Sequence, residues 1–376
     1  MAILTCVSGL NGKLPAAFLL DIKGKRILLD IGEGPEPGVR PDFSGIDYVD
    51  AIFLSHGHID HVGAIDLWEN FGKPPVYASA ETFSALSVMG LPLPEHARHL
   101  LPLTGRTSIL GLDITLGRSG HAIGGQWIHF ENDGGVIYMA DWSRESTVLA
   151  FDNPPPAKIV QTDISYLDRD QPLCEQFEIL TDLAKPGTIF PVPIMARGTE
   201  MVLRLHEAGV KVSICMQIRQ EMLILSTDET DAVLPSTKAQ IKAVLPQLTI
   251  VQAPESTDDD AVIILADSEK SNNLLQDFSN DNSRPWKFVF TGHIAPNSRA
   301  SKLIASGKGS RTSWNVHPRV SDHGWLRAIT KADIMVPAFG NLADAPQLTN
   351  SLDAYWNVNR IIDVSDTRDK KSNDEH

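Results

Sequence analysis

Apolar residues in the first 140 positions come in short runs broken by glycine and polar turns, which predicts strands rather than long helices. Ala17–Ile22 and Arg26–Ile31 flank Lys23-Gly24-Lys25 and predict a hairpin. Ala51–Leu54 is a short apolar strand running into Ser55-His56-Gly57-His58-Ile59-Asp60-His61. Val62–Phe71 has helical spacing and is stopped by Pro74-Pro75. Val76–Ala78 reads as a strand and Glu81–Met89 as a helix. Asp113–Leu116, Trp127–Glu131 and Gly135–Met139 read as further strands, with Asn132 to Gly135 as a turn. From about residue 160 the texture changes. Strands at Ile159-Val160, Thr188–Pro191, Val210–Met216, Ala261–Leu265 and Phe288–Thr291 alternate with a helix at Thr199–Ala208, which predicts an α/β unit with a parallel sheet.

Composition narrows the class. The chain has 376 residues, 42% hydrophobic and 21% charged, so wholesale disorder is excluded. Cys6, Cys174 and Cys215 are far apart, and no CxxC pair occurs. Neither a disulfide framework nor a cysteine-ligated zinc site follows, and a cytoplasmic protein with free thiols is expected. No run of about 18 apolar residues and no signal-peptide pattern is present, so no membrane association is expected. A net charge of −14 argues against a protein that coats nucleic acid, but leaves room for a local basic groove.

The chemistry concentrates in residues 55–61. Three imidazoles and a carboxylate fall within six residues, straight after a strand. Neutral histidine nitrogens and carboxylates are ordinary zinc ligands, and a glycine between two histidines lets a tight loop aim both rings at one ion. This HxHxDH pattern resembles the signature of the metallo-β-lactamase fold. Ile27 to Gly32 is similar to that family's early strand ending in Asp-x-Gly, Gly117 to His121 to its histidine loop, and Tyr138 to Asp141 to its strand ending in Asp. The resemblance implies an αββα sandwich. It implies that His56, His58 and His121 hold one zinc, that Asp60 and His61 help hold a second, and that Asp141 bridges the two. Asp30 would orient a ligand imidazole.

Beyond residue 145 the chain resembles the β-CASP subgroup, which includes ribonuclease J-like and cleavage-factor-like nucleases. Ile159 to Tyr166 is similar to its motif A, Gly187 to Glu200 to its strand followed by a Gly/Arg helix, Phe290 to His293 to its F-x-G-Tyr strand, and Val320 to Gly324 to its motif B. The resemblance implies a metallo-β-lactamase domain over 1–167 and 334–364, a β-CASP-like α/β insertion over 168–333, and a polar tail over 365–376. It also implies that Asp163 pairs with His323, which then acts as general acid beside a catalytic Asp60. One departure stands out. Ile334 to Gly340 matches the strand that ends in Val-His-Gly in the family, and Phe339 takes the place of the histidine that completes the second zinc. A weak second site follows, unless His293 or His317 substitutes. The segment from His323 to Phe339 is also a few residues shorter than the family's.

Residues 284–319 carry Arg284, Lys287, Arg299, Lys302, Lys308, Arg311 and Arg319 with no acidic residue, together with Trp286 and Trp314. A basic strip with stacking aromatics suits single-stranded nucleic acid or another anionic phosphate, with Lys308 and Arg311 as binding residues. The same strip could instead balance the acidic 255–281 segment. The leading expectation is a zinc-dependent hydrolase of phosphodiester bonds in RNA or other nucleic acid. A hydrolase of a small phosphoester, nucleotide or ester is the alternative, and a non-catalytic binding protein a second one. Homo-oligomerisation is left open.

Overall fold

Lys23 and Gly24 take left-handed φ values of 48° and 73°, the geometry that lets a two-residue turn follow the twist of its strands. The hairpin they close, Ala17–Ile22 with Lys25–Leu29, sits inside a seven-stranded sheet. That sheet runs in the order Ile361–Asp363, Ala2–Ser8, Ala17–Ile22, Lys25–Leu29, Ala51–Phe53, Val76–Ala78 and Arg98–Leu100. A second sheet of six runs Ile334–Ala338, Ile159–Asp163, Val136–Tyr138, Gln126–Phe130, Leu112–Arg118 and Gly105–Ile109. The computed structural model describes residues 1–366 except 37, 194–195, 268–272, 293 and 295–296. The expected tail therefore falls almost wholly outside the described residues, as does His293.

The two sheets face each other. Leu4, Phe18, Leu20, Ile27 and Phe53 of the first share one buried core with Ile114, Ile128, Phe130, Tyr138 and Val336 of the second. Because strand side chains alternate, the opposite faces need cover of their own. Leu28, Ile52 and Leu54 are covered by Val62, Ile65, Trp68, Phe71, Phe83 and Leu86. Ile137, Val160 and Met335 are covered by Trp142 and by Leu326 of the helix Val320–Thr330. This is the αββα sandwich. The expected helix over 62–71 is a short α-turn, Ile59–Val62, followed by a 3-10 segment, Ile65–Phe71. The apolar spacing was real, since Ile65, Trp68 and Phe71 are all buried, but Gly63 ends the first turn.

The chain divides into two compact units. The first holds Met1–Arg144, Phe151–Asp170 and the chain from His317 onward; the second holds Glu145–Ala150 and Gln171–Val316. Residues 317–333, expected inside the insertion, thus belong with the sandwich, because Leu326 packs into its outer core. The second unit is built on six parallel strands in the order Thr249–Ile250, Val212–Ile214, Val262–Ala266, Thr188–Val192, Lys287–Phe290 and Gly309–Arg311. Its central strands Thr188–Val192 and Val262–Ala266 are buried throughout, as a parallel sheet covered on both faces requires. Among the described residues, no helix is long and apolar enough to cross a membrane.

Candidate metal centre

Apart from His317, which lies in the loop before the helix Val320–Thr330, every candidate ligand in the first unit sits at or just past the end of a strand. Asp30 follows Lys25–Leu29, the 55–61 turn follows Ala51–Phe53, and His121 follows Leu112–Arg118. Asp141 follows Val136–Tyr138, Asp163 ends Ile159–Asp163, and Phe339 follows Ile334–Ala338. The strands ending at residues 29 and 53 are parallel neighbours, as are those ending at 138, 163 and 338. Within each set the ends therefore emerge on one edge of the sheet. Left-handed backbone recurs there, at Asp30 (φ 59°), Gly120 (66°), Ala140 (49°) and Phe339 (64°). Such strain in non-glycine residues concentrates at sites that must aim a side chain.

The side chains converge. His56 Nε2 lies 2.9 Å from His58 Nδ1, and His121 Nε2 lies 3.0 Å from the same atom. Asp141 Oδ2 is 3.5 Å from His121 Nε2. Donors around a tetrahedral first-row ion at ~2.1 Å stand about 3.4 Å apart; the Asp141–His121 separation matches this, and the two imidazole contacts are hydrogen-bond distances a few tenths of an ångström shorter. Burial pushes His56 well below its ordinary value and His58 down to about 4. Both rings are therefore neutral at neutral pH and offer lone pairs. Asp141 is 2% exposed, and its Oδ1 has no hydrogen bond. Despite burial, the charges of His61 and His317 hold its carboxyl well below the usual range. A buried carboxylate and three lone pairs aimed at one point fit a divalent cation. Three donor groups can be drawn: His56, His58, His121 and Asp141; Asp60, His61 and Asp141; and Asp141, Asp163 and His317.

Asp30 is completely buried and fully used. Its Oδ1 accepts from Ser55 N at 2.7 Å. Its Oδ2 accepts from Ser55 Oγ at 2.7 Å and Tyr138 Oη at 2.6 Å, and is paired with His61 Nδ1 at 2.7 Å. That pairing leaves His61 Nε2 pointed at Asp141 Oδ1, 3.4 Å away. The backbone is equally tight, since Ala16 N donates to Asp60 O and Ile31 N to His61 O, both at 2.8 Å. A Cβ on Gly32 would collide with the Asp60 carbonyl. Gly32→Ala is accordingly expected to destabilise the fold by about 3 kcal/mol, the upper range for overpacking, and to weaken metal binding. Urea midpoints and a metal titration check both; unchanged values would mean the 58–62 turn can yield.

The expected Asp163–His323 pair is not formed. Asp163 Oδ2 is held by His317 Nδ1 at 2.6 Å, while its Oδ1 accepts from Ser165 N. His323 lies 1% exposed against Trp142 and Trp356, with Nδ1 3.4 Å from Thr162 Oγ1. Burial lowers its pKa to about 4, so at neutral pH it is a neutral imidazole rather than an imidazolium acid. His317 stands where a site residue should: its ring is 4.7 Å from that of His121 and its Nδ1 3.6 Å from Asp141 Oδ2. A signal existed in the sequence, since His317 lies six residues before His323 and the stretch from His323 to Phe339 was already too short.

Phe339 sits in the place the sequence gave it, whereas Lys13 had escaped the sequence reading. Phe339 packs its ring 5.2 Å from His61. Lys13 brings its ammonium 3.7 Å from Asp60 Oδ2 and 3.2 Å from Ser165 Oγ. Burial opposes the Lys13 charge, but Asp141, Asp60 and Asp163 outweigh it and raise its pKa.

In the second unit, Lys308 and Arg311 are exposed on Gly309–Arg311 and the turn before it. Arg284 is paired with Asp259 at 2.8 Å. Trp286 is 5% and Trp314 0% exposed. The expected stacking aromatics are therefore core residues: Trp286 packs edge-on to Phe278. Only the charged part of the strip is available to a ligand.

Residues 11–148 match the family model described as the metallo-beta-lactamase superfamily. The chain carries a metallo-β-lactamase domain. This domain contains every donor of the first two groups. Ribonuclease TTHA0252 of Thermus thermophilus is 32% identical over 225 residues, 52% of each chain. Transcription termination factor FttA of a Lokiarchaeum species is 26% identical over 236 residues, 51% of this chain and 37% of that protein. A ribonuclease Z of Clostridium botulinum is 36% identical over 78 residues, 18% of this chain and 25% of that one. The match thus spans about half, or less, of the length of these relatives. The crystal structure of a protein of unknown function from Enterococcus faecalis superposes with a TM-score of 0.61 at 13% identity, over 96% of this chain and 99% of the other. It supports the fold of the whole chain beyond the metallo-β-lactamase domain.

Proposed function

We propose that this protein is a zinc-dependent phosphodiesterase acting on RNA, with a β-CASP-like unit over 171–316 in addition to its metallo-β-lactamase domain. The observation that carries the reading is the side-by-side placement of the His56, His58, His121 and Asp141 donors and the Asp163–His317 pair, which share Asp141. The ribonuclease names of the relatives favour RNA, and the parallel sheet of the second unit favours the β-CASP subgroup. The free thiols at Cys6, Cys174 and Cys215 suit a cytoplasmic setting.

His56, His58, His121 and Asp141 would hold the ion, and Asp30 fixes the ring of His61 beside them. A bound divalent ion would supply positive charge at a phosphoryl oxygen. Asp163 accepts from His317 Nδ1, which leaves Nε2 as the edge that can serve a substrate. His317 then protonates the leaving oxygen from Nε2, the role the sequence had given to His323. His317 is 14% exposed by side chain, enough to meet a substrate, whereas His323 is sealed.

The test is cleavage of a short single-stranded RNA and of a small phosphodiester, with and without chelator. Chelation should stop RNA cleavage and added Zn²⁺ restore it. If only the small diester is cut, a small-molecule hydrolase is the better reading, one that the buried Trp286 and Trp314 would suit. Replacing Lys308 and Arg311 with alanine should weaken RNA binding and flatten its salt dependence. Each lost contact to a single strand should remove about 0.7 from the log–log slope. An unchanged slope would take these two residues out of the interface.

A further inference from the structure

The second donor group is incomplete in an informative way. Asp60, His61 and Asp141 bring three ligand atoms together. The side where the family resemblance expects a fourth donor is closed by Phe339, 3% exposed and packed on the His61 ring. Phe339 is also fixed by its backbone, since its N–H donates to Gly9 O at 2.7 Å. That bond ties it to the segment that delivers Lys13. The Lys13 ammonium lies 3.7 Å from Asp60 Oδ2, 3.2 Å from Ser165 Oγ and 5.8 Å from the centre of the Phe339 ring. A carboxylate meant for a metal is thus partnered by a side-chain cation, and that cation rests against the aromatic ring standing in the missing ligand's place.

We propose that the Lys13 ammonium takes the place of a second metal ion, so that this centre works with one metal and one fixed ammonium. The inference rests on the proposed metal-dependent reading and sharpens it. The electrostatics favour it. Three carboxylates, Asp60, Asp141 and Asp163, are gathered within one site, and like charges held close need compensation. A divalent ion at the first donor group and the ammonium of Lys13 supply three positive charges. A second divalent ion bound to Asp60 would lie within a few ångströms of the ammonium and would have to expel it. The loss of the ligand at position 339 and the gain of a cation at position 13 are then one change seen from two sides. The aromatic face supports the exchange, because a ring that cannot ligate a metal attracts an ammonium.

The exchange is read by counting ions. Protein stripped with chelator is titrated with Zn²⁺, desalted, and analysed for zinc per chain, for wild type, Lys13→Met and Lys13→Arg. Methionine keeps the apolar stem and removes the charge; the Lys13 side chain is 41% exposed although its ammonium is drawn in beside Asp60, so neither variant threatens the fold. The expected result is one tight ion in wild type and in Lys13→Arg. In Lys13→Met a second ion should bind at least tenfold more tightly than any second ion in wild type. Two tight ions in wild type would overturn the proposal while leaving the metal-dependent reading intact. One ion in both wild type and Lys13→Met would also overturn it, since the ammonium would then exclude nothing. No ion in any variant would instead defeat the metal-dependent reading itself.

Discussion

Asp141→Asn is expected to abolish hydrolysis, by about 10³-fold or more, while the protein stays folded. Asp141 is the one residue shared by all three donor groups. Its carboxylate is 2% exposed, its Oδ1 has no hydrogen bond, and its Oδ2 faces His121 and His317 at 3.5 and 3.6 Å. No backbone amide or serine caps it, in contrast to Asp30, which is saturated. The side chains around this buried carboxylate are imidazoles, with His61 Nε2 3.4 Å from Oδ1, the company of a metal ligand rather than of a structural cap. Asparagine keeps its shape but removes the charge that balances a divalent ion. Losing several kcal/mol of charge stabilisation corresponds to about three orders of magnitude in rate. The metal-free variant should melt within about 4 °C of metal-free wild type, a change of ~1 kcal/mol for a domain of this size. Zinc per chain, single-turnover rate and thermal midpoint are the measurements. Full metal content with near wild-type turnover would show that Asp141 is no ligand.

The sequence was most legible where chemistry is local. Lys23-Gly24 forces a hairpin whatever surrounds it, and the HxHxDH turn carries four candidate ligands within six residues, so spacing alone placed them. His121 and Asp141 were legible because each follows a strand whose apolar run is plain. The reading failed where a tertiary contact chooses between equivalents. His317 and His323 are both histidines near the end of the basic strip, and only the packing of the helix Val320–Thr330 turns His323 inward against Trp142. The same limit applies to Trp286 and Trp314. A tryptophan among basic residues reads as a stacking platform, yet both are buried once the parallel sheet forms. Lys13 was invisible because nothing in a Gly-Lys-Leu-Pro loop says that its ammonium meets Asp60, 47 positions later.

His317→Ala and His323→Ala should fail in opposite ways, and the contrast decides which imidazole does the chemistry. His317 makes one strong polar contact, Nδ1 to Asp163 Oδ2 at 2.6 Å, and stacks edge-on with Tyr166 at 4.9 Å. Its removal leaves the sandwich core untouched, so stability should change little. Turnover should fall by ~10²–10⁴-fold, the usual worth of a positioned proton donor. Substrate affinity should barely move, because the proton is transferred only in the transition state. His323, by contrast, is wedged between Trp142 and Trp356, each with its ring centre 6.0 Å away. Truncating it opens a cavity and should destabilise the protein by about 2–4 kcal/mol, as for other large-to-small core changes. The folded fraction should turn over within about threefold of wild type. Zinc content adds a separate arm, because His317 also belongs to a donor group with Asp141 and Asp163. If His317→Ala keeps its zinc and loses its rate, the imidazole is a proton donor. If zinc leaves with the ring, His317 is a ligand and the source of the proton lies elsewhere. Should His323→Ala instead lose turnover at unchanged stability, the buried histidine would regain the role that sequence first gave it.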